Sequence, residues 1–226
     1  MKAKRLACAI WFVGLLSVPG SLSAQSATML PAVIPIFPLP DVVLFPDVSQ
    51  PLHIFEPRYR AMVADALKGD RIIGMVLLRP GYEADYEGRP PIYPIGSAGV
   101  ITAAEELPDG RFNIVLRGVV KFRVTGEDQS RPYRLAQVNA IPELPADQEK
   151  IVLHGLRQRL ETLAAEFLGV EPRIPPEIAD VEVINALAQH LDLSATQRQA
   201  LLERQGVVSR SQALIDLLEM MVNTPR

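Results

Sequence analysis

The sequence predicts an α+β fold in which a β-rich half precedes a bundle of helices. Short apolar runs bounded by proline, aspartate or glycine fill residues 32–141, and such runs are typical of brief strands. The proline-rich segment 142–145 ends this half. From 146 to 224 the apolar residues instead recur at intervals of three and four, which is the period of an amphipathic helix.

Residues 1–24 are predicted to be a signal peptide. Lys2, Lys4 and Arg5 form a basic start, an apolar run occupies 6–18, and small residues follow. The apolar run is shorter than the roughly 20 residues that a membrane-spanning helix requires. We therefore expect cleavage, a periplasmic or secreted protein, and no stable membrane span afterwards. An uncleaved leader that tethers the protein to a membrane is the alternative.

Removal of this leader would leave an acidic chain without cysteine. It takes away three of the 23 basic residues and none of the 26 acidic ones, so the formal net charge changes from −3 to −6. A domain that binds nucleic acid usually carries the opposite sign. Cys8 and Trp11, the single cysteine and the single tryptophan, lie in the leader. The remaining chain can form no disulfide, which suits an oxidising compartment.

Three short strands are predicted to precede the first helix. Apolar runs at 36–37, 42–45 and 52–55 alternate with proline and aspartate, and prolines favour strand starts and edges. Pro57 is placed for the first position of a helix, where its missing N–H costs nothing. The helix is expected to end at Gly69. Its apolar residues share one face: Tyr59, Met62, Val63, Ala66 and Leu67.

A hairpin dominates the rest of the β-rich half. Further strands are predicted at 72–78, 95–107, 111–125 and 133–140, with a long loop at 79–94. The sequence Pro-Asp-Gly at 108–110 is a strong turn signal between the second and third of these strands. In the third, apolar and polar residues alternate, and Gly118 on the apolar side predicts a bulge or a sharp bend. The apolar side comprises Phe112, Ile114, Leu116, Val120, Phe122 and Val124.

Four helices are predicted after the proline-rich segment. The first ends at Gly169, and the second spans 181–190. The first is expected to bury the stripe Val152, Leu156, Leu160, Leu163 and Phe167. The second is expected to bury Val183 or Ile184, Leu187 and Leu191.

Two capping boxes are predicted to begin the last two helices. Ser194 pairs with Gln197, and Ser209 pairs with Gln212, at the spacing in which each member bonds to the other's backbone. Gly206 is expected to end the third helix. The apolar side of the fourth helix comprises Leu214, Leu217, Leu218 and Met221.

Several ordered segments of this chain resemble the Lon N-terminal domain family, also called the LON substrate-binding domain. They are PIFPLP at 35–40, VVLFP at 42–46, PLHIFEPRYRAM at 51–62, PDGRFNI at 108–114 and LRG at 116–118. The resemblance covers roughly residues 33–224. It implies a PUA-like β pseudo-barrel at 32–141 followed by a helical bundle at 146–224, together forming one LON N-terminal domain.

The resemblance also implies a function. In this family the domain selects polypeptide substrates for attached ATPase and peptidase modules. No Gly-Lys pair occurs in the sequence, so the phosphate-binding loop G-x-x-x-x-G-K-[ST] is absent. We expect a stand-alone, non-catalytic module that binds unfolded or extended polypeptide segments, with a protease or chaperone acting in trans. A PUA-like RNA-binding module is the alternative, although the net charge disfavours nucleic acid.

No catalytic, cofactor or metal site is expected. His53 and Glu56 have an H-x-x-E spacing, but they span a strand end and a helix start. We interpret them as a packed junction in which His53 bonds to backbone and Glu56 lies near the positive end of the helix. His154 and His190 fall on separate predicted helices, and zinc needs three or four convergent ligands.

Two clusters of charge are weaker candidates, and neither assigns a ligand-binding residue. The loop of Tyr82, Glu83, Asp85, Tyr86 and Glu87 could bind a cation or a basic peptide, but we favour a solvated loop whose tyrosines fold back on the barrel. A basic strip lies on the polar side of the strand at 111–125. It comprises Arg111, Arg117, Lys121 and Arg123. The strip could hold a carboxylate, a phosphate or an acidic partner, and it is the best argument for the RNA-binding alternative, but we favour an exposed face whose charges pair with nearby acids.

Overall fold

The computed structural model describes residues 30–82, 88–128, 130–170 and 174–223. The predicted signal peptide, 1–24, lies outside these residues. So do Glu83, Asp85, Tyr86 and Glu87 of the predicted acidic loop.

The described residues form six strands and five helices. The strands are β1 (Val33–Leu39), β2 (Ser49–Ile54), β3 (Ile72–Leu77), β4 (Ile95–Glu106), β5 (Phe112–Asp128) and β6 (Arg134–Ile141). The helices are α1 (Pro57–Lys68), α2 (Asp147–Leu168), α3 (Asp180–His190), α4 (Ala195–Leu202) and α5 (Gly206–Asn223). One helix lies among the strands and four follow them, so the predicted α+β class is confirmed.

The six strands form a single sheet in the order β2-β5-β4-β3-β1-β6, and β5 also pairs with β6. The β1–β3 pair is parallel and the others are antiparallel. Strand β5 is 17 residues long. Along one side it pairs first with β2 and then with β6, and along the other it pairs with β4. Strands β5, β4, β3, β1 and β6 are therefore joined in a ring of pairs, with β2 added beside β5.

The predicted hairpin and its bend are confirmed. Gly110 lies in the β4–β5 turn with φ +77°, which glycine adopts without strain. Adjacent residues Ala98 and Gly99 of β4 pair with Val120 and Gly118 of β5, so β5 carries one extra residue there. This bulge bends β5 at the point where it leaves β2 and turns toward β6.

The strand predicted at 42–45 is wrong. Val43, Leu44 and Phe45 are buried, but they pair with none of the described strands. The N–H of Phe45 instead donates to Gln189 Oε1 of α3 at 2.9 Å. The apolar run therefore indicated burial, while the hydrogen bond that a strand partner would accept is taken by a helix side chain.

Helix α1 has the predicted limits and the predicted buried face. Pro57 is its first residue and Gly69 follows its last. Tyr59, Met62, Val63 and Ala66 are buried, whereas Leu67 is half-buried. They pack on Phe37 and Ile73 of the sheet.

The stripe predicted for α2 is shifted by one residue at its start. Val152 is 50% exposed, and Leu153 is buried in its place. The buried face continues through Arg157, whose guanidinium donates to Glu161 Oε1 at 2.8 Å and Asp180 Oδ1 at 3.0 Å. The prediction considered only apolar residues and therefore did not place Arg157 on the buried face. Without Arg157, the apolar spacing favoured Val152 over Leu153 as the first buried residue of the stripe.

One of the two capping boxes is confirmed. Ser194 Oγ accepts from Gln197 N at 3.2 Å, and Gln197 Oε1 accepts from Ser194 N at 2.8 Å. The box at Ser209 is wrong, since α5 already begins at Gly206 rather than α4 ending there. Val207 is buried on the same face as the later apolar residues of α5, so the helix must start ahead of it.

Replacing Ser194 with alanine is expected to lower the free energy of unfolding by about 1 kcal/mol, because α4 loses the acceptor for its Gln197 N–H. The matched control is Ser209→Ala, which removes an exposed hydroxyl within the first turn of α5. Its effect is expected to stay below about 0.5 kcal/mol. Urea denaturation of both variants measures the two changes. Equal losses of unfolding free energy would contradict a helix cap at Ser194 that Ser209 does not provide.

A continuous core joins the sheet to the helices. Phe45, Leu77 and Ile95 of the first half lie in one apolar cluster with Leu160 and Leu214 of the helices. The helical layer is thus packed on the strands, with α2 against α5 as its most extensive helix pair. The division into subdomains at 32–141 and 146–224 stays a prediction.

Candidate functional site

Three amide side chains fix the helical layer to the β-rich half. Asn185 Nδ2 donates to the carbonyl of Pro46 at 3.1 Å, and Gln189 accepts from Phe45 N as described above. Gln199 Nε2 donates to the carbonyl of Ile95 at 2.9 Å. All three side chains are buried, so these bonds set the position of α3 and α4 relative to residues 45–46 and to the start of β4.

A buried group of charges forms a second link between the two layers. Glu143 Oε1 accepts from Lys121 Nζ at 2.7 Å, and Glu143 Oε2 accepts from Arg210 Nη2 at 2.6 Å. Lys121 also donates to the carbonyl of Arg204, and Arg210 donates to Asn185. Desolvation by burial lowers the pKa of Lys121, and the hydrogen bond to Glu143 opposes that shift.

A groove opens where the ends of three strands meet the start of α4. We call it the junction groove. It has a volume of about 410 Å³, and its lining is predominantly apolar. The residues that shape it include Pro40, Phe55, Leu78, Pro80, Tyr82 and Ala195. Pro40, Phe55 and Leu78 directly follow β1, β2 and β3, so the groove brings together the residues that come after these three strands.

Two exposed aromatic side chains mark the junction groove. Phe55 is 60% exposed and Tyr82 is 47% exposed, and both line it. Apart from Phe55 and Tyr82, the described large hydrophobic residues with exposed side chains are aliphatic. An exposed apolar surface with aromatic walls is typical of a binding site rather than of ordinary protein surface. The arrangement can bind an apolar side chain, and Glu56 and Arg79 are the charged residues of its described lining.

The sequence pattern missed Phe55 as a surface residue. Ile54 is buried and His53 is exposed, so the alternation of β2 continues into Phe55 and points it outward with His53. The period-two pattern of the strand was the available signal. The apolar character of Phe55 instead led to the prediction of a packed junction.

His53 and Glu56 do not come together as a metal site. His53 is exposed, and the prediction that it bonds to backbone is wrong. It bonds to side chains instead, with its Nδ1 2.7 Å from Asn113 Oδ1. Its Nε2 lies 3.2 Å from Arg111 Nη1. Glu56 precedes the first residue of α1, near the positive end of the helix as predicted, and pairs with Arg58 at 3.0 Å.

The other two histidines also lie apart. His154 Nδ1 is 3.4 Å from Asp180 Oδ2, an acid on the neighbouring helix that sequence spacing did not indicate. Desolvation of the ring, together with the charge of Arg198, lowers the pKa of His190. Across the described ranges, no three His, Cys, Asp or Glu side chains lie close enough together to hold a metal ion.

The predicted basic strip is not an open cationic face. Lys121 is only 3% exposed, and its Nζ donates to Glu143 in the segment after β6 and to the carbonyl of Arg204 between α4 and α5. Arg111 pairs with Asp109 at 2.7 Å and Arg117 with Asp47 at 3.8 Å, while Arg123 is exposed. The hydrogen bonds from Arg111 lower the pKa of Asp109. The pairing with acids that the sequence favoured is thus observed for Arg111, Arg117 and Lys121.

A family model matches most of this chain. The model of the ATP-dependent protease La (LON) substrate-binding domain covers residues 33–220. Lon protease 2 of Myxococcus xanthus is 26% identical over 208 residues, which are 88% of this chain and 24% of that protein. Lon protease of Dictyoglomus thermophilum is 28% identical over 195 residues, which are 81% of this chain and 24% of that protein. The chain thus spans about a quarter of the length of these relatives.

Two solved structures share the fold. The N-terminal domain of the Mycobacterium avium complex Lon protease superposes with a TM-score of 0.61 at 19% identity. The alignment covers 83% of this chain and 98% of that one. A Lon N-terminal domain protein from Xanthomonas campestris gives a TM-score of 0.57 at 23% identity, covering 81% of this chain and 97% of that one.

Proposed function

Since this chain belongs to the ATP-dependent protease La (LON) substrate-binding domain family, we propose that it recognises exposed segments of other polypeptides in the junction groove. The proposed role is binding without catalysis. Its ligands are unfolded or extended segments, which present apolar side chains that folded proteins bury.

The observation that carries this proposal is the pair of exposed aromatic walls, Phe55 and Tyr82. Each keeps about half or more of its surface in water although an apolar groove lies between the strand ends and α4. Covering such surface with an apolar side chain releases water and is favourable by about 25 cal/mol for each Å² buried. A folded protein keeps such a patch exposed at a cost, and a binding role explains its retention.

Strand β2 offers backbone groups that lead into the groove. Among the described strands β2 pairs with β5 alone, and its last residue, Ile54, directly precedes Phe55. An extended segment can add to such an edge by backbone hydrogen bonds while one of its side chains enters the groove. Pro51 within β2 has no N–H to donate, which limits pairing to part of the strand.

The fold also supports a more specific description. The ring of paired strands β5, β4, β3, β1 and β6 is the connectivity that the predicted PUA-like pseudo-barrel requires. We therefore propose that residues 32–141 form this pseudo-barrel and that 146–224 form the helical subdomain packed on it.

The biological setting is likewise proposed. The composition of residues 1–24 supports an exported form, periplasmic or secreted, with an uncleaved membrane tether as the alternative. Among the described helices, none combines the length and the hydropathy that a bilayer-crossing segment needs. We propose that a protease or chaperone acting in trans uses the segments that this domain binds; the matching family model, over residues 33–220, is that of a substrate-binding domain.

Truncating both aromatic walls tests the groove. The variant Phe55→Ala/Tyr82→Ala is expected to bind fluorescein-labelled β-casein, an unfolded polypeptide, about tenfold more weakly than the unaltered protein in fluorescence anisotropy. The matched control, Ile151→Ala, truncates a side chain that is 80% exposed on α2, and its affinity is expected to be unchanged. Equal affinities of the three proteins would place binding elsewhere.

An RNA oligonucleotide measured in parallel at two salt concentrations tests the alternative. Binding to RNA alone, with a steep loss at the higher salt, would replace our proposal with a nucleic-acid function. That alternative depended on the basic strip. With Lys121 buried and Arg111 and Arg117 paired, the described geometry does not favour it.

A further inference from the structure

A second cavity adjoins the junction groove, and Leu78 lines both. It has a volume of about 240 Å³. Three arginines from separate parts of the chain line it: Arg58 from the first turn of α1, Arg89 from the segment before β4, and Arg134 from the start of β6. We call it the arginine cavity. No acidic side chain belongs to its described lining.

Arg134 is held rigidly in this cavity. It is only 8% exposed, and its Nε and Nη2 donate to the two carboxylate oxygens of Glu127 at 2.9 Å and 2.8 Å. Its Nη1 donates to the carbonyl of Pro90 at 2.9 Å. A guanidinium fixed by a two-point contact presents its charge without further loss of side-chain entropy.

Arg58 is also fixed, beside the N-terminus of α1. Its Nε lies 3.0 Å from Glu56 Oε2, and its guanidinium carbon lies 4.6 Å from the centroid of the Tyr59 ring. Helix α1 has 12 residues and no acidic residue in its first turn. The positive end of its dipole lies beside Arg58, and the carboxylate of Glu56, the residue before the helix, offsets part of this positive charge.

Arg89 is the third basic residue of the described lining. It is exposed, and none of the described residues forms an ion pair with it. Glu56 and Glu127 balance the other two arginines from outside the cavity lining. Counted over the described residues alone, these three arginines outnumber the two acids by one, directly beside the apolar junction groove.

We propose that the arginine cavity binds the C-terminal carboxylate of a polypeptide whose last apolar side chains occupy the junction groove. This inference rests on the proposed function of the groove. At a free C-terminus the carboxylate lies within a few ångströms of the last side chains. The arginine cavity and the junction groove are equally close to each other, since Leu78 lines both. Capture of a terminal carboxylate is a recurring mode of peptide recognition, and it selects chain ends over internal segments.

Two forms of one peptide test the proposal. A short fluorescein-labelled peptide ending in leucine and phenylalanine is prepared with a free C-terminal carboxylate and with a C-terminal amide. The free acid is expected to bind about fivefold more tightly than the amide, as one exposed charge pair allows. Arg89→Gln is expected to abolish this difference and leave the affinity for the amide unchanged. Arg123→Gln, the same change at an exposed arginine outside both cavities, is expected to preserve it.

The outcomes separate this inference from the function on which it rests. Equal affinity for both peptides, weakened by Phe55→Ala/Tyr82→Ala, would overturn carboxylate recognition and leave the groove proposal standing. If the Arg89→Gln variant still binds the free acid more tightly than the amide, the arginine cavity is not the source of that preference. Binding of neither peptide form while β-casein still binds would overturn carboxylate recognition, and binding of neither the peptides nor β-casein would overturn both proposals.

Discussion

Replacing Glu143 with alanine is expected to lower the free energy of unfolding by about 3–5 kcal/mol, because two buried cations lose their shared carboxylate. The side chains of Arg210, Lys121 and Glu143 are 0%, 3% and 9% exposed. Water therefore cannot replace the missing charge. Urea denaturation monitored by circular dichroism measures the loss.

The matched control is Glu219→Ala, which breaks the Arg159–Glu219 pair on the surface. Those side chains are 55% and 42% exposed, and such pairs contribute at most about 1 kcal/mol. The double variant Glu143→Ala/Arg210→Met is expected to recover part of the loss, since it removes one of the two stranded cations. A Glu143→Ala variant no less stable than Glu219→Ala would refute the network's role.

The stability of the Glu143→Ala variant is also expected to depend on pH in the alkaline range. Burial lowers the pKa of Lys121 below its ordinary value of 10.5, and the variant removes Glu143, which opposes that shift. Between the lowered pKa and 10.5 the unfolded chain then binds more protons than the folded one, so stability rises with pH in that window. The deficit of Glu143→Ala is therefore expected to narrow as the pH rises toward 10.5.

Gly118→Ala is expected to cost about 3 kcal/mol, because the bulge of β5 leaves no room for a methyl group. A Cβ there would overlap the carbonyl oxygen of Phe45 and lie 2.9 Å from its carbonyl carbon and 3.1 Å from Pro46 Cα. These are backbone atoms, which cannot turn aside as a side chain could. Gly118 also donates to the Val48 carbonyl and accepts from Asp47 N, both at 2.9 Å.

The control for this prediction is Gly155→Ala in α2. A Cβ at Gly155 meets nothing within 4 Å, and alanine favours the helix, so the variant is expected to be about 1 kcal/mol more stable. Thermal and urea unfolding of the two variants should therefore move in opposite directions. Tolerance of Gly118→Ala without loss of stability would contradict the close approach of 45–46 to the β5 bulge.

Local sequence patterns predicted much of the fold because neighbouring residues determine it. Pro57 and Gly69 bound α1 as expected, and Gly110 and Gly118 mark the turn and the bulge of β5. The segment 42–45 departed from its pattern, since its hydrogen-bond partner is a glutamine more than a hundred residues away.

The candidate site was less predictable because it is formed by distant segments. The family resemblance predicted polypeptide recognition, but it assigned no ligand-binding residue. Phe55 and Ala195 meet only after the helices dock on the strand ends. Likewise Lys121 was expected in a basic strip on the polar face of its strand, but it is buried against Glu143 and the carbonyl of Arg204, both far away in the sequence.

The most direct test of the central claim, that polypeptides bind in the junction groove, is site-specific photocrosslinking. The photoreactive amino acid benzoylphenylalanine replaces Tyr82 in one variant and Ile151 in the control, and each is irradiated with labelled β-casein. Our account predicts a strong, saturable crosslink from position 82 that unlabelled casein competes away, and little from position 151. Equal crosslinking from the two positions, or none from position 82 while casein still binds, would contradict it.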